Sequence, residues 1–199
     1  MGKHKHIDAI NLLFEKSPVV DFRTIERIVE SKGKNGRAKS GYAKLLVTNL
    51  LRQGKIKKLA KGCYTKHDDN SLAVFCFKSA YLGLQSALSA HNLWEQETIP
   101  IIITAKKVRS GMRQVMSGNV LVRRTGNERI FGYELIQEGA FYLPYSDIEK
   151  TLIDMVSFKQ RIDPKTLKRI NRRIDPRKLK DYLGKYPRRI RDKVMTLRE

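Results

Sequence analysis

Seven side chains between residues 80 and 160 are candidates for an active site by their type. They are Ser86, His91, Trp94, Glu95, Glu97, Lys150 and Asp154. A nucleophilic triad needs a serine, a histidine and a carboxylate in mutual contact, and the spacing of these residues establishes no such arrangement. A metal-dependent nuclease needs a carboxylate followed by a Glu-x-Lys on a neighbouring strand, and no predicted strand carries that tripeptide. We therefore predict a protein that is not an enzyme and has neither catalytic residues nor a cofactor.

The histidines and cysteines are too scattered to predict a metal site. Cys63 and Cys76 stand alone, without a C-x-x-C pair or histidines at zinc-ligand spacing. We predict two buried, reduced thiols. His91 is predicted to be a hydrogen-bonded residue at a helix end, and Trp94 to lie in the core or at a domain interface.

The overall charge favours polyanionic partners. The 199 residues include 41 Lys and Arg against 20 Asp and Glu, a formal net charge of +21. The hydrophobic share of 41% is sufficient for a packed core, which argues against a disordered chain. No apolar run approaches the ~20 residues of a membrane-spanning helix, and the N-terminus does not resemble a signal peptide. We expect a folded, cytoplasmic protein with no membrane partner.

The charge is concentrated at the two ends of the chain. Residues 1–70 carry 16 basic and 7 acidic side chains, residues 71–158 carry 9 and 8, and residues 159–199 carry 16 and 5. This distribution predicts three segments with those bounds. We expect nucleic-acid contacts in the first and third segments and not in the nearly neutral middle.

The first segment has the pattern of three helices followed by a basic hairpin. Asp21 is a predicted N-cap, flanked by Val20 and Ile25 as a hydrophobic staple. A third helix is predicted over residues 40–53, with Gly54 as its stop and one apolar stripe. The buried stripe comprises Ala43, Leu46, Val47 and Leu50. These elements predict a winged helix-turn-helix DNA-binding domain over residues 1–70.

The candidate DNA contacts follow from how such a domain binds. The second helix of the helix-turn-helix enters the major groove, while flanking groups fix the register on phosphates. The predicted DNA-binding residues are Arg37, Lys39, Ser40, Tyr42, Lys44, Thr48, Arg52, Lys57, Lys58 and Lys61. The expected partner is double-stranded promoter or operator DNA. The alternative is a winged helix that makes only protein contacts.

The middle segment is predicted to be a small α+β domain. An apolar run at 72–77 is interpreted as a strand or the start of a core, and residues 80–90 as a helix rich in small side chains. Four strands are predicted, at 99–104, 120–123, 130–136 and 140–143. Ser146 to Glu149 is predicted to be a capping box that begins a helix. Its inward residues are predicted to be Ile148, Leu152, Met155 and Val156.

The third segment is predicted to be an ordered, basic helical module, packed on or extending the second domain. The pattern R-I-D-P-x-x-L occurs at residues 161–167 and 173–179, and each Asp-Pro is typical of an N-cap followed by a proline at the first helical position. A third helix is predicted after Pro187, with Ile190, Val194 and Leu197 inward. We predict a second basic surface that binds phosphates. Its residues are Lys168, Arg169, Arg172, Arg173, Arg188, Arg189 and Arg191.

Three stretches also carry a family resemblance. They are QGKIKKLAKGCY at residues 53–64, LQSALSAHNLWEQ at residues 84–96 and SDIEKTLID at residues 146–154. In their order and spacing they resemble the AbiEi-type antitoxins of bacterial and archaeal type IV toxin–antitoxin systems, a family of transcriptional regulators. The sequence departs from the family at Asn92, where a glycine is common.

The resemblance implies a DNA-binding transcriptional autoregulator whose C-terminal domain opposes a nucleotidyltransferase-like toxin. It implies a functional pairing with that toxin without assuming direct contact. Two other functions remain open from the residues alone. The first is an RNA-binding or ribonucleoprotein-associated protein, because a basic helical tail suits structured RNA as well as DNA. The second is a metal-dependent nuclease.

Overall fold

The computed structural model describes residues 3–30, 39–96 and 98–198. Over these residues the chain is a mixed α+β protein with two β-sheets, which confirms the predicted α+β class. It divides into two compact units. The N-terminal unit comprises Met1–Cys76 and Gln114–Gly118, and the C-terminal unit comprises Phe77–Arg113 and Asn119–Glu199.

The N-terminal unit consists of helices around a small antiparallel sheet. Its elements are α1 (Lys3–Lys16), β1 (Val20–Asp21), α2 (Phe22–Glu30), α3 (Lys39–Arg52), β2 (Lys57–Ala60), β3 (Cys63–Thr65) and a 3₁₀ helix (Asn70–Cys76). The sheet has the order β1-β3-β2, with Val20 opposite Tyr64 and Lys58 also opposite Tyr64. The backbone N–H of Thr24 donates to Asp21 Oδ1 at 2.7 Å, so Asp21 caps α2 as predicted.

The core of the N-terminal unit fixes which face of α3 is exposed. The predicted stripe of α3 is buried, and it packs with apolar residues of the other helices and the sheet. This core contains Ile10, Phe14, Val20, Ile25, Val29, Ala43, Leu46, Val47, Leu50, Ile56 and Tyr64. Gly54 ends α3 with φ of +67°, and Lys55 N–H donates to Leu50 O in a Schellman motif.

A six-stranded mixed sheet supports the C-terminal unit. Its strands are β4 (Ala80–Leu82), β5 (Ile101–Thr104), β6 (Gly111–Val115), β7 (Gly118–Arg124), β8 (Tyr133–Glu138) and β9 (Phe141–Ser146). Their order is β6-β7-β5-β4-β9-β8. Strand β5 runs parallel to β7, and β4 runs parallel to β9 but antiparallel to β5.

The C-terminal unit buries one helix along most of its length. Its helices are α4 (Gln85–Ala90), a 3₁₀ turn (Asn127–Arg129), α5 (Ile148–Ser157), α6 (Pro164–Arg173), α7 (Pro176–Leu183) and α8 (Arg188–Thr196). Helix α5 is buried from Glu149 to Met155 and contacts α4, α6, α7 and α8. The last three helices and the residues that join them contribute to the same core as Leu152 and Met155 of α5, with Ile170, Ile174, Leu179, Leu183, Tyr186 and Val194. The basic helices therefore complete this core.

The structure corrects the predicted helix over residues 80–90. Ala80–Leu82 is strand β4, and the helix begins only at Gln85. The helix cannot extend back through Leu84, because its φ of +56° lies in the left-handed region. Tyr81 and Leu82 are fully buried in the sheet, so tertiary packing outweighs the local helical pattern. Of the two interpretations of residues 72–77, a strand or the start of a core, the strand is wrong, since Asn70–Cys76 is a 3₁₀ helix, in which Leu72, Ala73 and Val74 are buried.

Three smaller predictions also need correction. The N-cap of α5 is Asp147, whose Oδ1 accepts Lys150 N–H at 2.8 Å, whereas Ser146 is the last residue of β9. Cys63 and Cys76 are half-buried thiols where buried ones were predicted. Leu197, predicted to point inward, is 38% exposed.

Candidate nucleic-acid interface

Helix α3 presents a polar face opposite its buried stripe. Gly41, Lys44, Leu45, Thr48 and Arg52 are all exposed on it. Lys44, Thr48 and Arg52 follow one another at intervals of four residues, so they lie along one side of the helix over about 12 Å. Thr48 Oγ1 donates to Lys44 O at 2.9 Å. The structure thus brings three of the predicted DNA-binding residues onto one accessible row.

The N-terminal end of this face is described less fully. Arg37 lies outside the described residues, and Lys39 and Ser40 are described only as the first backbone residues of α3. Tyr42 is half-buried, and its ring meets the edge of the His6 ring with centroids 5.9 Å apart. Contact with α1 therefore holds Tyr42 at the border of the exposed row.

The basic hairpin of β2 and β3 offers fewer unpaired charges than the sequence indicates. Lys57 forms an ion pair with Asp68, so part of its charge is offset within the unit. Lys58 and Lys61 are exposed, and neither makes an ion pair within the described part of the chain. Gly62 forms the turn with φ of +77°, a conformation that glycine adopts without strain. Lys58 and Lys61 are therefore the better candidates for phosphate contacts.

Two arginines of the predicted second basic surface form hydrogen bonds within the C-terminal unit. Arg169 donates from Nη1 to Glu95 Oε1 at 3.0 Å and from Nη2 to Asn92 O, and Arg173 Nη1 donates to His91 O at 2.6 Å. Asn92 has φ of +58°, and asparagine tolerates this left-handed conformation better than most residues other than glycine. The two arginines thus fasten the turn that follows α4.

Arg173 is nevertheless exposed, and so are the other five predicted residues of that surface. They are Lys168, Arg172, Arg188, Arg189 and Arg191. Arg188 Nε lies 3.5 Å from Asp192 Oδ2, but both side chains are largely exposed, and an exposed ion pair contributes little to stability. The tail helices therefore retain an accessible basic surface, and of its seven predicted residues only Arg169 is half-buried.

Lys150 and Asp154 form a buried ion pair inside a ring of aromatic side chains. Lys150 Nζ donates to Asp154 Oδ1 and, at 2.9 Å, to the Tyr186 hydroxyl. Tyr81 OH donates to Asp154 Oδ2 at 2.7 Å. The rings of Tyr81, Phe131 and Tyr186 lie 5.2, 5.3 and 5.6 Å from Lys150 Nζ. The pair connects β4 and α5 to the segment between α7 and α8.

Burial dominates the electrostatics of this pair. It lowers the pKa of the Lys150 ammonium although Asp154 opposes the change, and it raises the pKa of the Asp154 carboxyl although Lys150 opposes it. The relative exposures are 0% for Lys150 and 2% for Asp154. In this conformation neither group is open to a substrate in solvent.

A second ionic cluster joins α5 to α7. Lys178 Nζ lies 3.2 Å from Asp147 Oδ2 and 3.1 Å from Glu149 Oε2. Glu149 Oε1 accepts Asp175 N–H at 2.8 Å, and Tyr182 OH donates to Asp147 Oδ2 at 2.9 Å. Burial and this hydrogen bond raise the pKa of Tyr182 to about 12. Bases of the third segment thus neutralise acids of the second.

The remaining residues of catalytic type are separated from one another. Ser86 Oγ accepts Ile101 N–H at 2.8 Å, while His91 is buried with Nε2 2.8 Å from Ser146 O. Trp94 packs on the core, and Glu95 is exposed beside Lys165 and Arg169. Glu97 lies outside the described residues. Sequence spacing gave no signal for these contacts, because each joins residues that are distant in the chain.

The described residues contain no group of three His, Cys, Asp or Glu side chains placed to hold a metal ion. No helix in the same residues is both long enough and apolar enough to cross a membrane.

Comparison with known proteins shows similarity at the level of the fold. No protein-family model matches the chain, and no curated protein matches it. Among solved structures it is similar to the crystal structure of the Rv2827c protein from Mycobacterium tuberculosis, with a TM-score of 0.60 and 14% sequence identity. The match covers 92% of this chain and 72% of that one. At this identity the likeness shows the fold alone.

Proposed function

We propose that the protein is a sequence-specific, double-stranded DNA-binding transcriptional regulator, and that its N-terminal unit is a winged helix-turn-helix. The element order α1-β1-α2-α3-β2-β3 with sheet order β1-β3-β2 supports this proposal. The observation that carries it is the exposed row of Lys44, Thr48 and Arg52 on α3, a helix whose opposite side is fixed in the core.

The chemistry of this row suits base recognition. An α-helix fits the major groove, where lysine and arginine donate to guanine and threonine contacts either a polar edge or a thymine methyl group. Lys58 and Lys61, on the hairpin, are placed in this proposal on the sugar-phosphate backbone, which fixes register without reading sequence. Leu45, 57% exposed on the same face of α3, adds an apolar contact.

The family resemblance supports a narrower form of the proposal. The regulated DNA is then the promoter of the protein's own gene, and the C-terminal unit opposes a nucleotidyltransferase-like toxin without a stable complex. The motif stretches that carry the resemblance include the hairpin at 53–64 and the α5 stretch at 146–154, which contains Asp147, Lys150 and Asp154.

Selection from a random pool of duplexes tests the DNA-binding proposal. The wild type is expected to enrich one sequence, and Lys44→Ala is expected to lower its preference for that sequence over random duplex. Each good base contact contributes about 1–3 kcal/mol of discrimination, or about 5- to 150-fold. Lys16→Ala, an exposed lysine of α1, is the matched control and should leave the preference unchanged.

Two results would overturn this proposal. One is a wild type that enriches no sequence, and the other is a Lys44→Ala variant that keeps the full preference together with an equally unaffected Thr48→Ala variant. Structured RNA that displaces the selected duplex at equal concentration would instead favour the RNA-binding alternative. Lys58→Ala/Lys61→Ala should weaken selected and random duplexes alike.

A further inference from the structure

The nearly neutral charge of residues 71–158 conceals a separation of its two signs in the fold. Four of its eight acids lie against bases of the helical tail or of α5. Glu95 pairs with Lys165 and Arg169, Asp147 and Glu149 pair with Lys178, and Asp154 pairs with Lys150. The net charge of residues 71–158 therefore does not describe the charge on their solvent-exposed surface.

The bases of the same segment collect at one end of the sheet. Strands β5 and β7 are parallel and end there, and β4, antiparallel to β5, begins there. Strand β6 also begins there, because only two residues join it to β7, its neighbour in the sheet. We call the cations flanking these four strand ends the strand-end cluster. It comprises Lys78, Lys106, Lys107, Arg109, Arg113, Arg123 and Arg124.

Local contacts hold this cluster together. Lys106 Nζ and Arg113 Cζ lie 5.7 and 5.8 Å from the centre of the Phe77 ring. Arg113 Nη2 donates to Arg109 O at 2.8 Å, and Arg124 N–H donates to Ser110 Oγ at 3.1 Å. The backbone of the loop between β5 and β6 is thus tied to β7, and the Lys106 and Arg113 side chains share one aromatic ring.

The cluster has no anionic partner in the described part of the chain. None of its seven members makes an ion pair there, and Lys106, Lys107, Arg109 and Arg124 are exposed. By contrast, three bases of the tail helices, Lys165, Arg169 and Lys178, are each paired with an acid. Like charges held this close repel one another, and a polyanion relieves that repulsion.

We propose that the strand-end cluster binds the phosphodiester backbone of DNA as a contact surface separate from α3 and the hairpin. Arginine forks and lysine ammonium groups are the usual phosphate ligands. A protein partner is a poorer fit, because the centres of protein interfaces are depleted of charge whereas DNA interfaces are rich in positive charge. The choice of DNA as the polyanion rests on the proposed function. The surface reads no sequence and strengthens binding to all duplexes.

The dependence of affinity on salt tests the proposal. The probe is a labelled duplex of random sequence about four helical turns long, roughly 40 bp. Each phosphate neutralised adds about 0.9 to the slope of log affinity against log salt. Lys106→Ala/Lys107→Ala/Arg109→Ala is therefore expected to lower the slope by about 2–3 relative to the wild type. Lys107→Gln/Arg124→Gln, which leaves the Lys106 contact with Phe77 intact, should lower it by about 2.

The matched control removes the same charge elsewhere in the C-terminal unit. Arg177→Ala/Lys180→Ala/Lys193→Ala changes three exposed cations of α7 and α8 and should leave the slope within about 0.5 of the wild-type value. An equal fall in the control, or no fall in both cluster variants, overturns the inference. Thermal melts of all variants establish that each is folded before its slope is compared.

Failure of this inference can be told apart from failure of the proposed function. If the wild type selects a sequence through α3 but the cluster variants keep the wild-type slope, only the cluster assignment is wrong. If the wild type selects no sequence but the cluster variants lose slope on random duplex, the cluster binds DNA and the regulator proposal is wrong.

Discussion

Removal of the carboxylate from the buried ion pair is expected to destabilise the C-terminal unit strongly. Asp154→Leu leaves the Lys150 ammonium fully buried, with the Tyr186 hydroxyl as its remaining hydrogen-bond partner among those described. Breaking a buried pair in this way costs about 3–5 kcal/mol, because an uncompensated charge stays in a low-dielectric site. A loss of this size lowers Tm by roughly 6–20 °C in a protein of this length.

Urea unfolding followed by tryptophan fluorescence measures this loss. Trp94 is the only tryptophan in the chain and packs against the core of the C-terminal unit, so its emission reports on that unit. The exposed pair of Lys165 and Glu95 supplies the control, since Lys165→Met should change the free energy of unfolding by at most about 0.5 kcal/mol.

The double variant Lys150→Met/Asp154→Leu tests the reasoning behind the magnitude. Burial opposes the charged form of both groups, lowering the pKa of Lys150 and raising that of Asp154, so an apolar pair of similar volume should recover most of the lost stability. A cost below about 1 kcal/mol for Asp154→Leu would refute the argument. The argument would also be refuted if the double variant lost as much stability as Lys150→Met and Asp154→Leu lose together when each is measured alone.

The same pair predicts a pH dependence that the double variant lacks. Because the pKa of Asp154 is raised in the folded state, the folded protein holds a proton that the unfolded chain has released over a window above pH 3.8. The contribution of this group to stability therefore falls as pH rises through that window. Measured from pH 4 upward, the unfolding free energy of the wild type minus that of the double variant should increase as pH falls.

Three further predictions concern the tail helices. Because the pKa of Tyr182 is raised from 10.0 to about 12, its contribution to stability is present below pH 10 and is lost as pH rises through 12. Tyr182→Phe should therefore lose less stability than the wild type at alkaline pH in urea titrations. Its absorbance at 295 nm should show one fewer phenol that titrates late. Asp175→Ala removes the N-cap of α7, whose carboxylate accepts two backbone N–H groups, and should cost about 0.5–2 kcal/mol by the same fluorescence assay. Arg173→Ala should cost about 1.5–3 kcal/mol by removing the charged hydrogen bond to His91 O, while the salt slope of DNA binding stays at the wild-type value.

Local sequence signals predicted the elements that local chemistry determines. Asp21, Asp163 and Asp175 cap their helices, and Gly54 ends α3, because a cap or a left-handed stop depends on a few neighbouring residues. Periodicity also predicted the α3 stripe, and with it the exposed face that carries the candidate DNA contacts. Strand β4 was missed because its burial between β5 and β9 is a long-range property.

The exposed basic surfaces could not be predicted from local sequence signals. Net charge over a segment predicts its surface only if its charges do not pair with those of another segment. Arg169 contacts Glu95, 74 positions away, and Lys178 pairs with Asp147 and Glu149 of the middle segment, so the sequence count overstated the free charge of the tail. It also understated the free positive charge of the middle, where Glu95, Asp147, Glu149 and Asp154 are paired with bases and, within the described residues, no strand-end cation makes an ion pair.

The contribution of the last helices to the core has a consequence for how the chain is made. Tyr186 touches the Lys150 ammonium, and Val194 is fully buried in the core that surrounds α5. During synthesis the sheet and α5 emerge first, while the residues that enclose the buried ammonium have not yet been made. The core of the C-terminal unit can therefore close only after residue 194 has left the ribosome, and until then the apolar side chains of α5 lack the partners that the last helices supply.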